Sequence, residues 1–579
     1  MTRLLVIQTG DSEALMQSLM ALKAAHQLYP KAEFHLVVRD DLQEIAERVD
    51  WLKDVIAMPV QEWTRRFEQA DRNPRALLPT VAEWLSQMVQ SRWDFVVHWS
   101  FLDSSSFLAA MVPAVIKLGN TRRTDQTLLS NDGWTYFIQG LIKNDLDQNI
   151  HMIDILTTQL LTALQIHVGD PDTSQENAPV SGAFFRLDDD RSPLARGRYA
   201  ARKWLAVQLS GRADFWIRFL GLVIRRHPDY NCVLLGDEGE VQAARDVLRG
   251  LSQAGCDETR VVSMVGKTDF EMWASLVSKS HWIVGEDHPV HQLASLQGIR
   301  TLKITEKKLS SMHEPYGNGH YILQGASTPE AAYSVWSYAS SEWSHQRERP
   351  VDQYCERLGW DTKENPGAQV YRSKIRPTHE GGGVIYEPLI QRPMTLSDWV
   401  ATVMGQVARA WYCGWVADTG QGLDRLRLDS VLIASLREAR PQIEELRAQL
   451  KQGRKTADRL SEISSHLRSD RLMSLDVRSQ IASFNDQLNA TNAAIDTIAR
   501  ANPALAGFSA MLKVMMHNLT GEKIRDLSRE SAEAYQKLTE GVNLMIDWLD
   551  MTLTMVRPSA VPKSNIINLE KFRDRRPEA

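Results

Sequence analysis

The sequence predicts an α/β protein made of two tandem, doubly wound domains followed by an all-helical region. Three observations carry this. Short apolar runs alternate with amphipathic stretches over 3–118, and the alternation resumes over 203–304. A polar stretch, 173–202, with Pro, Ser, Gly and the acidic run Asp188, Asp189, Asp190, reads as a linker between them. From 423 onward apolar residues recur at three- and four-residue spacing, the signature of packed helices.

Composition narrows the class. The chain has 579 residues, enough for three or four domains, with 43% hydrophobic and 24% charged residues. A net charge of −5 offers no basic field for nucleic acid. The four cysteines, Cys232, Cys256, Cys355 and Cys413, lack CxxC spacing, so neither a zinc site nor a disulfide framework is expected. MTRLLVIQTG lacks the apolar run of a signal peptide, and no stretch approaches 18 apolar residues. A cytoplasmic protein is expected, at most peripheral to an inner membrane. Most of the 17 tryptophans are expected in cores.

In the first domain, strands are expected over 3–9, 34–38, 55–58, 94–99 and 115–118. Helices follow from the Gly10-Asp11-Ser12 turn, after Asp40 or Asp41, over 79–93 and over 101–114. Repeated βα units imply a parallel sheet with helices on both faces. The first βα turn carries one glycine, so a dinucleotide fingerprint is absent. In the second domain, strands are expected over 204–209, 232–236, 261–265, 282–284 and 300–304.

The stretch 265–298 concentrates candidate binding residues. Gly266-Lys267-Thr268-Asp269 opens a helix, with Thr268 or Asp269 as N-cap. Gly285-Glu286-Asp287 breaks a buried strand, and Pro289 suits the first turn of the next helix. Such a junction lies at the carboxyl end of a parallel sheet, where open α/β folds bind ligands. Asp287, His288 and His291 would stand beside a helix N-terminus, which favours an anion such as a diphosphate. An ordinary βα turn reads the same way. Two tandem domains of this kind fit a nucleotide-sugar transferase or a periplasmic-type binding protein, and the missing signal peptide counts against the second.

Over about its first 330 residues the chain resembles the ADP-heptose:lipopolysaccharide heptosyltransferases of glycosyltransferase family 9, which have the GT-B fold of two Rossmann-like domains. RLLVIQTG and YPKAEFHLVV are similar to that family's opening strand, helix and second strand; DFVVHW with its serine-rich turn resembles the fourth strand. Residues 149–154 (NIHMID), Val233-Leu234-Leu235-Gly236, Gly266-Lys267-Thr268, Val284-Gly285-Glu286-Asp287, Leu293-Ala294, Gly298 and Pro315-Tyr316-Gly317 follow the family order. The resemblance implies a bacterial protein with a nucleotide-diphosphate sugar held by the second domain and a glycan or protein acceptor entering from the first. It implies inverting transfer, an acidic side chain as base, and no cofactor or metal. The physics agrees: a sugar hydroxyl is a poor nucleophile, and a departing diphosphate needs cations or helix N-termini.

The departures are local. The family's Gly-Asp pair in the first βα loop aligns with Glu13 and Ala14, so the aspartate is missing there. Asp11 and Glu13 are the carboxylates that could act as base, although Asp11 or Ser12 also reads as a helix cap. In the Asp-Ser/Thr-Gly-x-x-His motif Asp287 is kept, His288 and Pro289 replace the small pair, and His291 falls one residue early. Arg212 is the expected donor cation, with Gly266, Lys267, Thr268 and Gly285 around the donor; Lys267 also reads as a solvated helix-start residue. An inactive scaffold that keeps the GT-B shape is the alternative, and a small-molecule sensor a third reading.

The expected domains are 1–185, 186–335, an irregular linker with one amphipathic helix over 336–422, a helical bundle or coiled coil over 423–557, and a tail over 558–579 that could fold on binding. A helix over 328–343 would cross back to the first domain. Residues 344–392 read as irregular, and 395–416 as a helix whose Trp399, Trp411, Tyr412 and Trp415 pack internally. Three apolar seams follow: Ile443, Leu446, Leu450, Ala457, Leu460, Leu467; then Val477, Ile481, Phe484, Leu488, Thr491, Ile495, Ile498; then Tyr535, Leu538, Val542, Met545, Leu549, Val556. Thr491 and Ala457 favour a bundle over a rod, serving oligomerisation or a protein partner.

Overall fold

The computed structural model describes residues 2–70, 72–141, 146, 150–170, 184–187, 194, 202–286, 289–307, 309–325, 328–345, 368–375, 383–389, 395–413, 430–465 and 474–555. Most of the expected 173–202 linker, and the whole 558–579 tail, lie outside them. The chain forms two compact units. The first spans 1–117, 150–376 and 383–392; the second spans 118–149, 377–382 and 393–579.

The first unit holds two mainly parallel sheets. In one, β1 (Arg3–Ile7) pairs in parallel with β2 (Glu33–Arg39) and β4 (Trp93–His98), and β2 with β3 (Asp54–Met58). β5 (Ala114–Arg122) comes next to β4, and its residues from Leu118 belong to the second unit, where they pair antiparallel with β6 (Leu128–Ser130). In the other sheet, β7 (Lys203–Gln208), β8 (Tyr230–Leu235), β9 (Val261–Ser263), β10 (Trp282–Gly285), β11 (Arg300–Thr305) and β12 (Tyr321–Gln324) run parallel in the order β12-β11-β10-β7-β8-β9. Most of these strands are buried, largely apolar runs, which is why the sequence reveals β7, β8, β9, β10 and β11; the four-residue β12 is not among the expected strands. In each sheet the first strand has its second on one side and its fourth on the other. Chain direction reverses across the sheet between β1 and β4, and between β7 and β10, the positions where open α/β sheets leave a crevice.

Two expectations fail here. Residues 344–392 are not all irregular: β13 (Gln369–Ile375) and β14 (Val384–Pro388) extend the second sheet antiparallel beyond β12. They are edge strands held by long-range pairing, and their flanking charge, proline and glycine hid them. The helix expected to cross back to the first domain runs Pro329–His345 and stays with the second sheet. Its Trp336 is fully buried beside Phe219 and Tyr230, joining Trp216 and Trp282 in the same core.

The second unit is helical. The helix Ser430–Ser465 continues through Pro441, and Ile524–Met555 lies antiparallel to it: Arg440 pairs with Asp550 at 2.7 Å, and Ser461 reaches Arg525 O at 3.4 Å. Ile443, Leu446, Leu450, Ala457 and Leu460 on one helix, and Tyr535, Leu538, Val542, Met545 and Leu549 on the other, are all buried. The middle seam is different. On Leu475–Ala501 only Thr491 and Ile495 are buried, near where Asn492 accepts from Tyr535 Oη at 2.7 Å. Leu467 and Val556 lie outside the described residues.

Residues 118–149, expected with the first α/β domain, belong to this unit. The helix Gly133–Leu141 packs on Ala506–His517 through glycines: a Cβ on Gly140 would stand 2.9 Å from Met511 Cγ, and one on Gly507 2.9 Å from Leu141 Cδ2. Asn518 accepts from Ser130 N at 2.7 Å, tying the β5–β6 hairpin to the same helix end. Trp399 of the helix Leu396–Cys413 is fully buried and donates to Thr552 at 3.3 Å, and Trp411 lies over Gly541, so both pack internally. The side chain of Tyr412, and Trp415, lie outside the described residues.

Gly453 shows how closely the long helices approach, because the Tyr535 ring occupies the space its side chain would fill. Gly453→Leu should therefore destabilise the helical unit by about 1–3 kcal/mol through overpacking, despite the better helix propensity of leucine. Urea unfolding followed by far-UV circular dichroism measures this, and an unchanged midpoint would show that the helices can part at no cost.

Candidate functional site

The first crevice opens where β1 and β4 end. Gln8, just past β1, is buried and works as a staple: its Nε2 donates to Ser18 Oγ at 2.7 Å and to Trp99 O at 3.2 Å, while its Oε1 accepts from Gly10 N at 3.0 Å. Thr9 N donates to Ser100 Oγ at 2.7 Å. These bonds close the β1 loop against the loop after β4 and fix the start of the helix Ser12–Leu28.

The two candidate carboxylates separate here. Asp11 is the N-cap: its Oδ1 accepts from Ala14 N at 2.9 Å, so it is spent on the helix end. Glu13, in the first turn, points elsewhere. Its Oε1 lies 3.4 Å from His313 Nδ1 and 3.4 Å from Gln17 Nε2. His313 belongs to the β11–β12 connection of the other sheet, so Glu13 joins the two sheets at their carboxyl ends.

The second crevice lies where β7 and β10 end. Gly285 is required there, because a Cβ would stand 2.8 Å from Gln208 Cβ. Arg212, at the N-cap position of the helix Ala213–Arg226, lies with its guanidinium 4.6 Å from the Phe215 ring centroid. It is not a free cation. It forms an ion pair with Glu286 and lies 3.8 Å from Glu306. An anion arriving at Arg212 meets two carboxylates.

The remaining donor candidates divide in three. Asp287 and His288 lie outside the described residues. His291 is buried in the seven-residue helix Val290–Leu296, and its Nε2 lies 2.8 Å from Glu286 O. Gly266 has φ +67° and a Cβ there would meet Val241 Cγ2 at 2.9 Å, so its role is a tight turn. Lys267 is exposed and folds back on Ser263 O at 3.3 Å, while Asp269 rather than Thr268 caps the next helix, accepting from Met272 N at 2.8 Å. Gly266, Lys267 and Thr268 thus read as turn residues in this conformation. Among the described residues no cluster of His, Cys, Asp or Glu could hold a metal.

The β11–β12 connection was legible only as Pro315-Tyr316-Gly317. Tyr316 Oη donates to Asp154 Oδ1 at 2.9 Å, joining that motif to the 149–154 stretch. Lys303 and Glu314 form an ion pair at 2.9 Å with side chains only 5% and 4% exposed. Gln292 Nε2 donates to His313 O at 2.8 Å and Gln17 Nε2 to Met312 O at 3.4 Å. Sequence reasoning missed His313, Gln17, Glu286, Glu306 and Gln8 as site residues. Glu13 and His313 meet only in the folded chain, and one sequence offers no signal for pairs 300 positions apart. His313, two residues before the Pro-Tyr-Gly motif, was the one with a local clue.

No family model and no curated protein matches the chain. Among solved structures, the E. coli heptosyltransferase WaaC with ADP is similar over 58% of this chain and 100% of its own, at 14% identity and a TM-score of 0.43. A glycosyl transferase family 9 structure from Veillonella parvula is similar over 63% of this chain and 94% of its own, at 12% identity and a TM-score of 0.41. E. coli ADP-heptose lps heptosyltransferase II is similar over 59% and 100%, at 11% identity and a TM-score of 0.41. The chemistry of the site rests on the residues of this chain. No described helix is long and apolar enough to cross a membrane.

Asp11→Ala should cost about 1 kcal/mol of stability through the lost cap and leave any ligand binding unchanged; chemical denaturation and titration calorimetry check the two halves. Acid should loosen the first unit. His151 is fully buried as a neutral ring: Nδ1 accepts from Ile153 N at 3.0 Å and Nε2 reaches Glu314 O at 2.8 Å. Burial pushes its pKa down to about 3, and that of buried His320 likewise to about 3. The unfolded chain, with ordinary histidines near 6.5, then binds more protons between those values. Stability should fall as pH drops below 6.5, by about 2 kcal/mol per histidine at pH 5. His151→Asn keeps a helix cap and removes one of the titrations, so its urea midpoint should drop less between pH 7 and pH 5.

Proposed function

We propose that this chain binds a nucleoside-diphosphate sugar at the β7/β10 crevice and transfers the sugar, with inversion, to a hydroxyl of a bacterial envelope glycan or protein held at the β1/β4 crevice. The observation that carries this reading is the contact of Glu13 with His313. It brings a carboxylate and an imidazole from the two sheets together at the carboxyl ends where both crevices open. A transferase needs this arrangement: donor on one sheet, acceptor on the other, and a proton acceptor between them. The helical unit would serve oligomerisation or a protein partner, with the protein working in the cytoplasm.

A second reading, a GT-B-shaped scaffold without catalysis, is favoured by the carboxylates around Arg212. A partly exposed ion pair is worth about 1 kcal/mol or less, so a diphosphate can displace Glu286 from Arg212, yet the displaced carboxylate still repels it.

Titration calorimetry of the full chain with nucleoside diphosphates and with ADP-, UDP- and GDP-linked sugars separates the readings. The transferase reading expects micromolar binding of at least one donor, at least tenfold weaker in Arg212→Ala. Glu286→Gln should bind about three- to tenfold more tightly, because the competing charge is gone. No binding by folded protein to any of them supports the scaffold.

A further inference from the structure

The pair at the junction has a polarity that assigns its two members different work. Glu13 Oε1 approaches Nδ1 of His313, and Gln17 Nε2 lies 3.4 Å from the same carboxylate oxygen and 3.5 Å from Nδ1. A carboxylate at Nδ1 favours the tautomer with the proton on that nitrogen, leaving the lone pair on Nε2. Among the described residues nothing bonds Nε2, and the His313 side chain is 49% exposed. Its backbone is held from both sides, His313 O by Gln292 at 2.8 Å and His313 N by Ser310 O at 3.1 Å. The ring is thus anchored through Nδ1 and open at Nε2. The Glu13–His313 separation is long for a finished hydrogen bond, as is common before substrate tightens such a pair. The other carboxylate, Asp11, is already committed to its helix end.

We propose that His313 is the general base for the acceptor hydroxyl and that Glu13 is its positioning residue. This rests on the transferase reading above and names the proton acceptor within it. The acceptor oxygen forms a bond to the anomeric carbon as His313 Nε2 takes its proton. The bond from that carbon to the diphosphate oxygen breaks, and the nucleoside diphosphate leaves with the electron pair. The carboxylate of Glu13 stabilises the imidazolium, which afterwards releases the proton to solvent.

Two measurements on the full chain test this. Imidazole nitrogen NMR, assigned with His313→Asn, should show the Nδ1–H tautomer for His313, and Glu13→Gln should shift the tautomer balance away from Nδ1–H. The Nε2–H tautomer, or a tautomer balance that Glu13→Gln leaves in place, overturns the pairing. Release of nucleoside diphosphate from ADP-glucose, UDP-glucose and GDP-mannose, with water as acceptor, is then followed from pH 5.5 to 9. His313→Asn should lower kcat about a hundredfold or more with KM nearly unchanged, and Glu13→Gln should lower kcat by a smaller factor, also with KM nearly unchanged. Full activity in folded His313→Asn overturns the base assignment. Donor binding without release at any pH in the wild type also overturns it while leaving the nucleotide site standing. Absence of donor binding overturns the transferase reading itself.

Discussion

The buried Lys303–Glu314 ion pair is the constraint on which the candidate site depends. Two charges taken out of water stabilise little as a pair, but losing either partner leaves the other uncompensated, so the pair pins its segment in one place. Around it the β11–β12 connection fastens to its surroundings. Glu314 O meets His151, Tyr316 binds Asp154, Asp154 Oδ2 accepts from Val384 N at 3.1 Å, and Pro315 O accepts from Tyr386 at 3.1 Å. A loop of this length would otherwise sample many conformations. Fastened so, it carries His313 to Glu13.

The two crevices are built by the same topological rule and finished with different chemistry. At β1/β4 the polar groups are neutral and saturated, with Gln8, Thr9, Ser18 and Ser100 bonding one another. That makes a rigid edge from which Glu13 projects. At β7/β10 the groups are charged and only partly buried, with Arg212 between Glu286 and Glu306. Such a cluster rearranges at little cost, which suits a site whose charges re-pair when an anion enters.

The helical unit depends on close approach rather than on charge. Tyr535 rests on Gly453, Trp411 on Gly541, and Met511 on Gly140. Each glycine weakens its own helix slightly and lets a large side chain of the neighbour lie against the backbone. The middle seam is incomplete. The helix Leu475–Ala501 buries only Thr491 and Ile495 of its heptad stripe, so its remaining apolar positions are partly exposed.

By itself the sequence determined most of the parallel strands and the long helices, because buried parallel strands are largely apolar runs and packed helices keep a 3-4 stripe. It also framed the choice between capping and catalysis for Asp11. Only the tertiary structure decided that choice, since an N-cap is a distance to Ala14 N. It also decided that His291 is buried against Glu286 O, that Arg212 is already paired, and that β13 and β14 belong to a sheet. The hairpin and helix within 118–149 joined the helical unit for the same reason. The sheet pairing of β13 and β14 and the placement of 118–149 turn on contacts between residues far apart in the chain, and the caps and local contacts turn on which way a side chain is aimed. Glu13 and His313 are the extreme case: two polar residues 300 positions apart, placed 3.4 Å from each other by the packing that brings one loop against one helix.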